Sequence, residues 1–258
     1  MIVIDKLCYS SKIRYVNPFE KFTFSILTLV FVVLSRSVIL GLTVLFINGY
    51  LTLRLGGIPP RRYIKLMLIP LSFILLSTVA ILINFSYTPL EAFALKIGNI
   101  YITSSMEAVS KCLSLVVTAF SAISCLYFLT LNTTMTDILG VLRKLHTPKL
   151  MCELMLLIYR FIFVLLDTAY YLRTAQNARL GYRTFRSSLG DFALLVQAIF
   201  IKSMKRSRAL YDAMESRLYD GEIKVLEESY PISRRNVVFI TIFELILLAS
   251  VIWIKFGE

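Results

Sequence analysis

The sequence predicts an all-α, polytopic helical membrane protein with about five spans and two long cytoplasmic helices, on three observations. Its 258 residues are 57% hydrophobic and 17% charged, where a soluble domain is about half apolar and about a quarter charged. The apolar residues fall in runs of bilayer-spanning length. The cations gather in alternate connecting segments, as they do in chains that cross a membrane repeatedly.

Met1 to Glu20 is polar and mixed, and the first apolar run begins near Phe22. That run leads directly into a second, so it reads as a retained span rather than a cleaved leader. Phe22 to Leu34 is short for a full crossing, and Ser35-Arg36-Ser37 breaks it before Val38 to Leu55 continues. A tight hairpin of two spans is expected, with one long tilted helix as the alternative. Gly56-Gly57-Ile58-Pro59-Pro60 ends the second span, and a third runs from Tyr63 to Phe85 with Pro70 as a tolerated kink. Residues 86–105 are turn-rich and fit a loop with an interfacial helix or a short hairpin. A fourth span fits Ala108 to Leu131, and the last is Val237 to Ile254, closed by Trp253 and Lys255.

Lys6, Lys12, Arg14 and Lys21 precede the first span, Arg54, Arg61, Arg62 and Lys65 follow the second, and the richest stretch is Asn132 to Arg235. Four crossings bring all three basic segments to one side, which is therefore the cytoplasm. The expected organisation is 1–131 as N-terminal spans, 132–235 as a cytoplasmic helical segment, and 236–258 as a final span. Within the segment, Asp137 to Leu145 forms a short helix ended by His146-Thr147-Pro148. A helical pattern then runs from Pro148 to Tyr182, and another from Ser188 to Leu218. Both are apolar first and basic later.

The net charge of +12 suits anionic lipid and the positive-inside pattern; the apolar background argues against nucleic acid. Cys8, Cys112, Cys125 and Cys152 show no metal-ligand spacing, and His146 is the sole histidine, so no metal is assigned to this chain. There is no GxxxxGK[ST], GxSxG or HExxH, which removes a phosphate-cradling loop and two hydrolytic motifs, and no catalytic residue is assigned.

Two constellations remain. Glu153, Arg160 and Asp167 recur at seven-residue spacing, as candidates for buried ion pairs or, in an enzyme reading, for intramembrane chemistry. The second is a repetition at two helix ends: Ala175 through Ala178-Arg179-Leu180, and Ala209 through Ala213-Met214 to Ser216-Arg217-Leu218. Small residues at Ala175, Ala209 and Ala213, with Met214, permit close helix packing. An arginine at a helix C-terminus suits the dipole and presents a planar fork to carboxylates and carbonyls. Two surface helices with ordinary basic ends are the plain alternative.

The order of these features is similar to the transmembrane T component of energy-coupling-factor importers, in particular its CbiQ-like cobalt/nickel version. The resemblance is carried by Ile4-Asp5-Lys6 through Asn17-Pro18-Phe19-Glu20-Lys21, by Phe128-Leu129-Thr130 through Tyr159-Arg160, and above all by Arg208 through Tyr219-Asp220-Gly221-Glu222-Ile223. It implies that Ala178-Arg179-Leu180 and Ser216-Arg217-Leu218 are X-Arg-X docking motifs, each seated on one of two CbiO-like ABC-type ATPase subunits. It also implies a CbiM-like metal-binding membrane subunit, with or without a CbiN-like small subunit. ATP and Mg would belong to the ATPases, with no cofactor on this chain. Both motifs often have a small third residue where this chain has Leu, which leaves the local helix ending open. A vitamin importer using the same helices, and a lipid-binding regulator, are the other readings.

Overall fold

The computed structural model describes residues 3–82, 84–86, 93–97, 100–104, 106–221, 223 and 230–257. Nine helices lie among them: α1 (Val3–Tyr9), α2 (Pro18–Ser35), α3 (Val38–Tyr50), α4 (Pro60–Leu82), α5 (Met106–Asn132), α6 (Met135–Lys144), α7 (Lys149–Ala178), α8 (Phe185–Glu215) and α9 (Arg234–Gly257). A π turn, Leu51–Leu55, extends α3. A small antiparallel sheet joins β1 (Asn84–Ser86), β2 (Phe93–Ile97) and β3 (Ile100–Ser104) in the order β1-β3-β2. The short-hairpin alternative for the turn-rich stretch is thus the one realised by β2 and β3.

Contacts divide the chain into two units: Ile2–Ile138 with Ser229–Glu258, and Leu139–Glu228. In the first unit the chain breaks at Arg36, left-handed at φ 47°, so α2 and α3 are two helices rather than one tilted rod. Asn17 caps α2 by accepting from the Phe19 amide at 2.9 Å, and Pro18 sits at the first turn, where its missing N–H costs nothing.

Helix α5 is the axle of this unit, with α1, α2, α3 and α4 all packed on it. Polar side chains weld the contacts of α2, α3 and α4. Ser25 Oγ donates to the Cys125 carbonyl at 2.7 Å, Asn48 Nδ2 donates to Cys125 Sγ at 3.1 Å, and Tyr127 Oη donates to the Leu66 carbonyl at 3.1 Å. Phe24 meets Phe128 edge-on at 5.3 Å between centroids. Gly41 lets α3 approach closely: Ser121 Oγ donates to its carbonyl at 2.5 Å, and a Cβ there would stand 2.8 Å from Val117 Cγ1. Hydroxyls and small residues supply the helix–helix specificity that apolar packing lacks in lipid. A mostly apolar groove of about 930 Å³ opens on α2, α3 and α9, walled by Phe24, Phe46, Phe239 and Phe243.

Among the described residues, five helical stretches are long and apolar enough to cross a membrane: Pro18–Ser35, Val38–Leu55, Val109–Asn132, Phe185–Glu215 and Arg234–Ile254. Four were expected spans; the fifth is α8, read from sequence as a cytoplasmic helix. Its apolar first half carries it into this group, while Lys202, Lys205, Arg206 and Arg208 in its second half would be costly at membrane depth. Helix α4, the remaining expected span, carries no charge from Leu66 to Leu82, and Pro70 does not end it. The chain is a multi-pass helical membrane protein.

Candidate functional site

The ends of α7 and α8 close in the same way. At α7 the Gly181 amide donates to the Gln176 carbonyl at 2.9 Å and the Leu180 amide to that of Asn177 at 3.1 Å. At α8 the Tyr219 amide donates to Met214 at 3.1 Å and the Leu218 amide to Glu215 at 3.0 Å. These paired bonds define the Schellman ending, in which the residue after the cap is left-handed and usually glycine. Here it is Leu180, at φ 64°, and Leu218, at φ 58°. A side chain there costs about 1–2 kcal/mol, so glycine's backbone geometry is kept without glycine. Position by position, Ala178 matches Ser216, the capping Arg179 matches Arg217, and Leu180 matches Leu218. All six side chains are exposed.

Both helices belong to one unit, and two polar clusters hold them. Beside the turn, Gln176 Nε2 donates to the Asp191 carbonyl at 2.9 Å. The Tyr182 amide donates to Asp191 Oδ2 at 3.1 Å, and Tyr182 Oη to Gln176 Oε1 at 2.8 Å. At the other end, the buried Glu153 accepts from Tyr219 Oη at 2.6 Å and from the Ile223 amide at 2.8 Å. The carboxylate next to it holds the Tyr219 hydroxyl proton above the ordinary phenol range. Arg179 and Arg217 are therefore separated by most of the length of α8, on the order of 40 Å at 1.5 Å per residue.

Two sequence expectations need correction. Arg160 and Asp167 are exposed, and among the described residues neither pairs with Glu153. Seven residues span about 10 Å along a helix, too far for a direct ion pair; Glu153 serves the loop after α8 instead. Ala175, Ala209 and Ala213 are exposed and Met214 is half-buried, so these small residues do not pack the helices together within the chain. The polar clusters do that, and the alanine faces stay available to another protein.

Sequence reasoning missed a second set of residues, Asn17, Glu20 and Lys21, in the membrane unit. Lys21 Nζ donates to the carbonyls of Ile13, Arg14 and Asn132 at 3.2, 3.1 and 2.8 Å. Asn132 also accepts from Ser11 Oγ at 2.8 Å. Glu20 accepts from the Ser233 amide at 2.9 Å and from Asn236 Nδ2 at 3.1 Å, while Asn17 Nδ2 donates to the Tyr230 carbonyl at 3.1 Å. The point where the long segment leaves this unit and the point where it returns are thus tied to one short stretch at the start of α2. The only available signal was the run Asn17 through Lys21, which sequence alone marks as family-like without saying why.

All four cysteines are free and buried, and among the described residues no group of three or more His, Cys, Asp or Glu side chains is placed to hold a metal ion.

A protein of Methanocaldococcus jannaschii described as uncharacterized is 31% identical over 95% of this chain and 91% of its own. The cobalt transport protein CbiQ of Salmonella typhimurium is 27% identical over 86% of this chain and 99% of its own. A putative fused cobalt transport protein CbiMQ of Methanocorpusculum labreanum is 29% identical over 93% of this chain, which matches 40% of that longer protein. The model of the family described as "CbiQ: Cobalt transport protein" matches residues 9–227. With the match spanning both the α5-centred membrane unit and the two capped helix ends, the chain belongs to the CbiQ family of cobalt transport proteins.

Proposed function

We propose that this chain is the transmembrane coupling (T) subunit of an ATP-driven importer for cobalt or nickel. In this reading Arg179 and Arg217 each dock one ABC-type ATPase subunit on the cytoplasmic side. The observation that carries it is the pair of matching capped arginines, exposed at opposite ends of α8. One rigid strut with two like grips suits a partner made of two like subunits. ATP and Mg stay with those subunits, and this chain performs no catalysis of its own. When the ATPases close, the two grips are displaced, and the helix pair carries the motion to the anchors at Asn132 and Tyr230. A CbiM-like membrane subunit would receive it and hold the metal. The relative in which CbiM and CbiQ are one polypeptide supports that pairing.

The test is co-purification of the chain with a co-expressed CbiO-like ATPase pair. Arg179→Ala and Arg217→Ala should each weaken docking by about 2–5 kcal/mol, the cost of leaving a buried charged partner unpaired. Membrane insertion should be unchanged. A double variant that retains the ATPase pair at wild-type yield defeats this reading.

A further inference from the structure

Five non-glycine residues among those described have a positive φ: Arg36, His146, Leu180, Tyr182 and Leu218. Arg36 and His146 carry polar side chains that water solvates. Tyr182 recovers its strain through two hydrogen bonds, to Asp191 and Gln176. Leu180 and Leu218 are the aliphatic members of the set, and they are 71% and 90% exposed. Neither solvation nor packing within the chain offsets holding a leucine in that backbone region. The helix-closing bonds at these turns need only the backbone, so the leucine side chain adds cost without local return, and an outlier of this kind points toward function. Its repetition beside two equivalent arginines makes one purpose for both the economical explanation.

We propose that Leu180 and Leu218 are apolar anchors, each entering a hydrophobic pocket of an ATPase subunit whose rim oxygens take the adjoining arginine. The proposal rests on the docking reading above and adds what the partner's surface must look like. A left-handed residue reverses the chain at the helix end and leaves its side chain clear of the helix, as the two exposures record. A cation beside an aliphatic knob selects a pocket with an apolar floor and an acidic or carbonyl edge. Two such units on one strut select two equivalent pockets, hence two like subunits. Aliphatic groups buried at the centre of a contact, with charged pairs around them, are how such interfaces reach useful affinity.

The experiment compares Leu180→Gly/Leu218→Gly, Leu180→Asn/Leu218→Asn and Leu180→Met/Leu218→Met with Arg179→Ala/Arg217→Ala. Each detergent-purified chain is titrated with the purified ATPase pair, and its unfolding temperature is recorded. Glycine and asparagine are at ease in the left-handed region, so a leucine with no part in docking predicts an equal or higher unfolding temperature and unchanged binding. The anchor role predicts an equal or higher unfolding temperature together with weaker binding, about tenfold or more per leucine lost from a pocket. Methionine should restore most of it. Wild-type affinity in both the glycine and asparagine variants, with loss in the arginine variant, overturns the anchors and leaves the docking reading standing. Wild-type affinity in the arginine variant as well removes the docking reading itself. A lowered unfolding temperature in both the glycine and asparagine variants makes the leucines structural and also overturns the proposal.

Discussion

Lys21 Nζ donates to the Asn132 carbonyl at 2.8 Å, across 111 residues of sequence. The bond is buried, and the same ammonium also holds the carbonyls of Ile13 and Arg14. Asn132 is the last residue of α5, so Lys21 fixes the place where the chain leaves the membrane unit toward the two long helices.

Lys21→Met should therefore loosen that exit while sparing the distant helix ends. Three carbonyls lose a charged donor, and a hydrogen bond to a charged group contributes about 1.5–3 kcal/mol. A lower unfolding temperature in detergent is expected, with ATPase co-purification retained and metal uptake in cells reduced. Uptake at the wild-type rate would show that the exit anchor plays no part in coupling.

Glu153 and Tyr219 make a second test. Glu153→Ala removes the acceptor of both Tyr219 Oη and the Ile223 amide, so hydrogen exchange at Ile223 should accelerate, whereas Tyr219→Phe should have the smaller effect. The pH dependence has a definite sign. The Tyr219 hydroxyl is held above its ordinary value by its hydrogen bond to Glu153. Its contribution is complete below the free phenol value, near 10, and is lost as pH rises through the raised one. Protection of Ile223 should thus persist at neutral pH and fall only in strong alkali.

Gly41 should not tolerate a side chain. A Cβ would lie 2.8 Å from Val117 Cγ1 and 3.2 Å from Ser121 Oγ, and overfilling a packed contact costs about 1–3 kcal/mol. Gly41→Val is expected to lower the unfolding temperature more than Gly49→Val, because a Cβ on Gly49 meets nothing within 4 Å. Equal shifts would disprove the close contact of α3 with α5.

Cys8 is 3% exposed, and burial pushes its thiol up to about 11. The folded protein should resist a thiol-reactive maleimide at pH 8, and detergent-unfolded protein should react at once. Because the folded value lies above the free one, near 8.5, the stability tied to this thiol is complete below that value and is lost as pH rises toward 11.

The spans were legible because a bilayer demands long apolar runs, and such runs survive reading one residue at a time. The expected span at Ala108 to Leu131 differs by two residues at its start and one at its end from α5. Helix α7 ends at Ala178 rather than near Tyr182, because Leu180 takes the left-handed turn one residue before Gly181, the glycine that sequence alone would have made the stop. The ion-pair expectation for Glu153 failed because its true partners, Tyr219 and Ile223, lie 66 and 70 residues away. Composition also favoured α8 as a span, although its charges and its repeated end motif had marked it as something else.

By itself, the sequence determined the membrane class and the two arginines at matching helix ends. Each is a local property, set by hydropathy, charge or spacing along one stretch of chain. Only the tertiary structure decided that Lys21, Glu20 and Asn17 anchor both junctions of the long segment. It alone showed that Glu153 clamps the loop after α8, and that Leu180 and Leu218 take a glycine's backbone while facing outward. Those facts depend on hydrogen bonds between distant residues and on backbone torsions, which no window of the sequence contains.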